Sequence, residues 1–309
     1  LSCGLWSLLF SLKMSQPRPQ FYCAPMVRYS KLAFRNLVRR HGVDVCYTPM
    51  IYAKNFLESE FCRTSEFSTN EADNPVIVQF ASNDPIILAN AAEMVYKSAS
   101  GVDLNCGCPK HDVRSRGFGS ILLNQPDLLA DMVRQTRARI SDSEFTISLK
   151  IRINYPLEKS VDLCRKAEAA GVSHLAVHGR TPSQRAEPVD YSAIRIIRES
   201  VSVPVIANGD IRSLDDAIRV AEETGVAGVM AANGLIANPS LFEGSETTTR
   251  ECVRDWLDLS ASLGVPYHLF HQHLIYMLRH SLSPQQRRVF NELASRPSIE
   301  DFLIHLLEE

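Results

Sequence analysis

Long apolar runs are missing from this 309-residue chain. Nowhere does it approach the ~20 consecutive apolar residues that a membrane-spanning helix needs. Excess charge is missing too: 33 Lys and Arg stand against 35 Asp and Glu, for a formal net charge of −2. No global basic field therefore advertises a nucleic-acid ligand, and a polyanion would have to be held by a local patch. Solenoid-type repeats and low-complexity tracts are absent. The first strand-like run lacks a GxGxxG turn into its helix, which weighs against an open dinucleotide-binding sheet. The segment 245–309 has no lysine and more acids than arginines.

Cysteine is plentiful by contrast, with eight residues. Several sit inside apolar runs (YCAPM, DVCYTPM, VDLCRKA), where a reduced Cys behaves as a small hydrophobe. That usage points to a reducing compartment rather than a disulfide framework, with the cytoplasm as the default location. The opening LSCGLWSLLFSLKM has no initiator Met, no basic leading region and only a short apolar run. It reads as an upstream extension, with Met14 the start and residues 1–20 without structure.

From Phe21 onward, short apolar runs alternate with amphipathic stretches. The strand candidates are FYCAPMV, DVCYTPM, NPVIVQFA, GVDLNCG, FTISLKIRI, VSHLAVHGR, VPVIANGDI and GVAGVMAANG. Helical patterns such as KLAFRNLVRRHG, QPDLLADMVRQTRARI and SLDDAIRVAEETG lie between them. Strands alternating with helices imply a parallel sheet, and eight such units fit a TIM (β/α)8 barrel. After about Gly244 only helical patterns remain. The expected organisation is a barrel over 21–244 and a small all-helical domain over 245–309.

Residues at the C-terminal ends of barrel strands are candidates for chemistry, the polar ones above all. In order the strand ends present Met26 and Val27 after Pro25, then Gln79, then Asn105 with Cys106 and Cys108. Lys150 and Arg152 follow on the fifth strand, His178 and Arg180 on the sixth, Asn208-Gly209-Asp210 after the seventh, and the MAANG end of the eighth. Gln79 also reads as a strand cap and His178 as a satisfied core histidine. Lys150 is harder to explain structurally, because an unpaired ammonium in a strand buried on both faces is costly. Glycines in ANGDI, and AANG ahead of a short helix opening at Asn-Pro, suit a phosphate held by backbone N–H groups.

The CxC pair has no CxxC or HxxxH partner nearby, so zinc and redox-pair readings lack support. His271 and His273 are two apart and point to different helix faces, which suits packing or surface rather than a metal. One cysteine acting as nucleophile or acid remains. Cys108, past the strand and before Pro109, lies where such a group belongs, while Cys106 packs.

Taken in this order, CAPMVRYSKLAFR, PVIVQF, DLNCGCP with its GFGS loop, SLKIRI, VHGRT, PVIANGDI and MAANGLIANPSLF resemble the tRNA-dihydrouridine synthase family. The resemblance covers nearly all of 22–309. APMVRYS, CYTPMI, FHQHL and RRVFN are most similar to the eukaryotic branch acting on D-loop uridines 20a and 20b. It implies an FMN-binding barrel, NADPH or NADH as reductant, and tRNA as substrate; it implies no membrane and no obligate protein partner. It further implies that Pro25, Met26 and Val27 line the flavin, that Gln79, Lys150 and His178 contact it, and that Asn208, Gly209, Asp210, Ala232 and Asn233 hold its phosphate end. Cys108 matches the cysteine that protonates the uracil ring, and the helical tail matches the part that grips tRNA. Where the family commonly has a small residue followed by Arg, this chain has Ala232-Asn233, which removes a positive charge from the phosphate end.

Two other functions are compatible with these residues. One is a flavin barrel reducing a free pyrimidine or enone, against which the helical tail speaks. The other is an RNA-binding protein with weak or lost flavin-dependent turnover, for which Asn233 speaks and against which Cys108 and Lys150 speak. Retention of yellow FMN on purification separates the last from the enzymes.

Overall fold

Strand runs such as VIVQFA are apolar almost throughout because both faces of a parallel barrel strand are covered. All six residues of Val76–Ala81 are buried. In the computed structural model, which describes residues 18–308, such strands pair in parallel around a closed ring: β1 (Gln20–Cys23), β2 (Val45–Tyr47), β3 (Val76–Ala81), β4 (Gly101–Cys106), β5 (Thr146–Arg152), β6 (His174–His178), β7 (Val205–Asn208) and β8 (Gly228–Ala231). β8 pairs with β1 and β2 with β3, which closes the barrel. Ile51–Tyr52 adds a two-residue extension against the end of β3. This is the expected TIM barrel. The expected extension lies outside the described residues over 1–17, and Gln20 already belongs to β1.

Helices follow the strands in turn: α1 (Leu32–Arg40), α2 (Ala53–Glu58), α3 (Glu60–Glu66), α4 (Pro85–Val95), α5 (Pro126–Arg139), α6 (Glu158–Ala169), α7 (Tyr191–Glu199), α8 (Leu214–Thr224) and α9 (Asn233–Ala237). Their ends follow local chemistry. Asp84 caps α4 by accepting from the N–H of Ile86 and Ile87, with Pro85 at the first helical position. Ser213 caps α8 through the N–H of Asp216, and Gly225 ends it in the left-handed conformation. Sequence periodicity missed α2 and α3, which are short and interrupted by the Ser59 cap.

The helix expected to open at Asn238-Pro239 is a short one: α9 stops at Ala237, and a 3-10 turn over Leu241–Glu243 follows the Asn-Pro pair. Asn238 is extended, as the residue before a proline prefers. Its Oδ1 accepts from the Ser240 N–H at 3.1 Å and from the Ser240 hydroxyl at 2.7 Å, which closes a turn instead of continuing the helix.

From Thr249 onward the described chain is helical: α10 (Arg250–Ser262), α11 (Tyr267–Met277), α12 (Pro284–Glu292) and α13 (Arg296–Glu308). These dock on α1. His273 stacks on Phe34 with centroids 4.6 Å apart and lies 4.7 Å from the Trp256 ring. His271 Nε2 meets the Phe290 carbonyl at 2.9 Å. Both histidines are packing residues. His41, at the end of α1, is sandwiched between Glu243 at 2.9 Å and Asp255 at 3.2 Å, with Arg40 on Asp255 at 2.6 Å. An aromatic seam and a charged clasp therefore join the tail to the barrel.

Candidate active site

The strand ends converge on a cavity of about 620 Å³, an ordinary size for a cofactor or ligand site. It collects Pro25, Met26 and Val27 from the loop after β1, Gln79 from β3, Cys108 from the loop after β4, Lys150 from β5, His178 from β6 and Asn233 from the start of α9. Strand register brings several of these together. Asn105 stands opposite Lys150, Arg152 opposite His178, and His178 opposite Asn208.

Lys150 donates to Asn208 Oδ1 at 2.8 Å, and no carboxylate lies within ion-pair distance among the described residues. Burial pushes its ammonium down to about 8, partly offset by the charge of Asp103. At neutral pH it still carries its proton, so the floor of the cavity holds a positive charge whose direct hydrogen-bond partner is an amide. His178 is neutral: burial first, then Lys150, Arg152 and Arg180, push it down to about 2. Its Nδ1 is buried with no hydrogen-bond partner in the described structure, an uncommon condition for a native polar atom. An anionic, hydrogen-bonding ring system fits both groups.

Cys106 and Cys108 divide as expected in placement. Cys106 is fully buried, and burial raises its thiol well above the ordinary range. Cys108 opens on the cavity. Its N–H donates to Asn105 Oδ1 at 3.0 Å, and its carbonyl accepts from the Ser120 N–H at 3.0 Å. Gly119 permits this approach: its φ is +66°, and a Cβ there would stand 2.6 Å from the Cys108 carbonyl oxygen.

The phosphate-end candidates are less gathered. Asn208 lies behind Lys150, its amide also donating to the Met230 carbonyl at 2.8 Å. Gly209, with φ +128°, offers its carbonyl to Tyr191. The Asp210 carboxylate is paired with Arg180 at 2.5 Å, which leaves its backbone as the part suited to an anion. Asn208, Gly209, Asp210 and Ala232 do not line the cavity itself. Asn233 lines it and also a neighbouring cleft of about 520 Å³ with Arg212, Gly234, Arg279 and His280. A phosphate leaving the main cavity past Asn233 would meet the guanidinium groups of Arg212 and Arg279.

Sequence reasoning assigned no role to Asn105, Arg152 or Tyr52, all of which line the cavity. The i, i+2 spacing of Lys150 and Arg152 placed both on one strand face and was a usable signal. Tyr52, with the Arg116 guanidinium 5.4 Å from its ring centroid, gave none.

Comparison with known proteins gives four findings. Residues 22–296 match the family described as dihydrouridine synthase (Dus). An uncharacterized tRNA-dihydrouridine synthase-like protein of Caenorhabditis elegans is 66% identical over 92% of this chain and 100% of its own length. A human protein described as tRNA-dihydrouridine(20a/20b) synthase [NAD(P)+]-like is 53% identical over 91% of this chain and 89% of its own. Among solved structures, the old yellow enzyme of Trypanosoma cruzi superposes with a TM-score of 0.54 at 11% identity, covering 77% of this chain and 88% of that one. That likeness speaks to the barrel fold alone.

Proposed function

This chain belongs to the dihydrouridine synthase family, and on that premise we propose that it reduces the C5=C6 bond of uridines 20a and 20b in the D-loop of tRNA. The observation that carries this reading is the meeting of Cys108, Lys150 and the unpartnered His178 Nδ1 in one cavity. FMN held by these residues and reduced by NADPH or NADH would supply the hydride for C6 of the uracil ring.

The protein's own residues do the rest. Pro25, Met26 and Val27 form the apolar wall against the flavin. Lys150 holds positive charge where the reduced cofactor is anionic, and Gln79 and His178 orient the ring by hydrogen bonds. Asn208 positions Lys150 from behind. The backbone of Gly209 and Asp210, with Ala232 and Asn233, takes the phosphate end. Cys108 Sγ delivers its proton to C5 as the uracil enolate collapses, the general-acid role open to a thiol that faces the cavity.

A uracil reaches this cavity only by leaving its stack, at a cost of about a few kcal/mol. Gripping the tRNA offsets that cost. We assign the grip to the helical part, residues 245–309, and flavin binding to 21–244. No described helix is long and apolar enough to cross a membrane. The free, mostly buried cysteines support a reducing cytoplasm as the working compartment.

Single-turnover reduction of unmodified tRNA by FMN-loaded protein tests the reading. Wild type forms dihydrouridine, and Cys108→Ala loses about 10²–10⁴-fold in rate while keeping its flavin. No product from a protein with bound, reducible flavin would remove tRNA as the substrate.

A further inference from the structure

Beneath the cavity lies a polar layer, reached through Gln79, whose other members the chemistry above does not use. Asp103, fully buried in β4, accepts from Gln79 Nε2 at 2.8 Å on Oδ2 and from Ser148 Oγ at 2.7 Å on Oδ1. Gln79 Oε1 in turn accepts from Asn105 Nδ2 at 2.9 Å. Asn105 Oδ1 accepts from the N–H of Gly107 at 3.3 Å and of Cys108 at 3.0 Å. Register explains the first steps, since Gln79 stands opposite Asp103 and Asp103 opposite Ser148.

Each carboxamide has one donating and one accepting end, so a direction set at one end of the chain propagates to the other. An acceptor at Asp103 Oδ2 requires Gln79 to turn its NH2 inward. Its oxygen must then face Asn105, whose own oxygen is left for the loop. Reverse the first amide and Asn105 presents NH2 to two N–H groups, donor against donor, and the loop loses its anchor. We propose that Asp103 is a positioning residue for Cys108, acting through Gln79 and Asn105 to hold the loop that presents the thiol to the cavity.

The relay tolerates proton uptake. Burial, the largest influence, pushes the Asp103 carboxyl up to about 7. A proton on Oδ1 faces Ser148, whose hydroxyl can turn towards the Val102 carbonyl 3.4 Å away. Oδ2 continues to accept from Gln79 in both states. The value of the relay to catalysis rests on Cys108 being the proton donor; its existence does not.

Iodoacetamide alkylation of the full chain, compared at matched FMN occupancy and followed peptide by peptide, tests the proposal. Cys62 is the internal reference, since it is also a partly exposed thiol and sits on α3, outside the relay. Asp103→Ala removes the acceptor and should raise the Cys108-to-Cys62 rate ratio about fivefold, the factor corresponding to one hydrogen bond. Asp103→Asn keeps an acceptor for Gln79 and a donor for Ser148, so its ratio should stay within about twofold of wild type. Gln79→Met breaks the relay one step along and should reproduce the rise even where Asp103→Ala does not fold. An unchanged ratio in the folded relay-breaking variants, or equal acceleration of both cysteines, overturns the proposal. Alkylation needs no turnover, so failure of the relay and failure of the enzymatic reading are separately visible.

Discussion

Two layers of the same barrel carry buried ionisable groups and treat them differently. In the lower layer Asp103 has both oxygens hydrogen-bonded, and Tyr47 meets His174 Nε2 at 2.7 Å. At the mouth, two residues further along β5 and four further along β6, Lys150 has only an amide partner and His178 Nδ1 has none. Burial costs both layers, but only the lower one is compensated within the protein. The difference supports the proposal that a ligand completes the hydrogen bonding at the mouth, with the lower layer as its scaffold.

Exchanging Cys108 for Ala, the largest expected loss, acts wholly at the mouth, with the fold and the flavin untouched. Next in size is the pH response of the lower layer. The folded-state pKa of Asp103, about 7, stands above its ordinary 3.8. The stability linked to its proton is therefore fully present below the unfolded value and is lost as pH rises through about 7. Asp103→Asn carries no such titration. Thermal or urea unfolding should show the stability of this variant gaining on wild type by on the order of 3 kcal/mol between pH 4 and pH 8. A constant difference would mean that Asp103 is not desolvated as its surroundings indicate.

Lys150→Met asks whether the mouth gives up stability for binding. The variant removes a charge that only an amide answers, so the flavin-free protein should melt no lower than wild type. Its FMN dissociation constant should rise about tenfold or more, the loss of one charge-assisted hydrogen bond. Flavin fluorescence titration measures the second effect and calorimetry the first. Lys150 itself contributes in the opposite sense to Asp103: its depressed pKa of about 8 makes wild type gain stability as pH rises from there towards 10.5. The smallest effect expected is that of Tyr47→Phe, which leaves His174 Nε2 without its partner. It should cost about 1–2 kcal/mol in unfolding free energy and leave FMN affinity unchanged, as befits a scaffold residue. A comparable fall in affinity would dissolve the distinction between the layers.

Much of this was legible in the residue order. Alternating runs and turn residues mark the eight strands and most helices. The cation inside SLKIRI marks Lys150, and the position of Cys108 just past β4 separates it from Cys106. The helix read as opening at Asn238-Pro239 is a single 3-10 turn over Leu241–Glu243, set apart from α9 by the turn that the Asn238 side chain closes. Asp103 passed unnoticed because an acid within GVDLNCG has no local feature that tells whether it is paired.

The sequence alone determined the alternation of elements and the loops in which reactive groups stand, since periodicity and turn chemistry depend on near neighbours along the chain. Tertiary structure decided which buried polar atoms find partners. Gln79 meets Asp103 across 24 positions, Asp103 meets Ser148 across 45, and Lys150 meets Asn208 across 58. Those meetings depend on strand register and barrel closure, which exist only once the sheet has formed, and they separate a satisfied core group from one left waiting for a ligand.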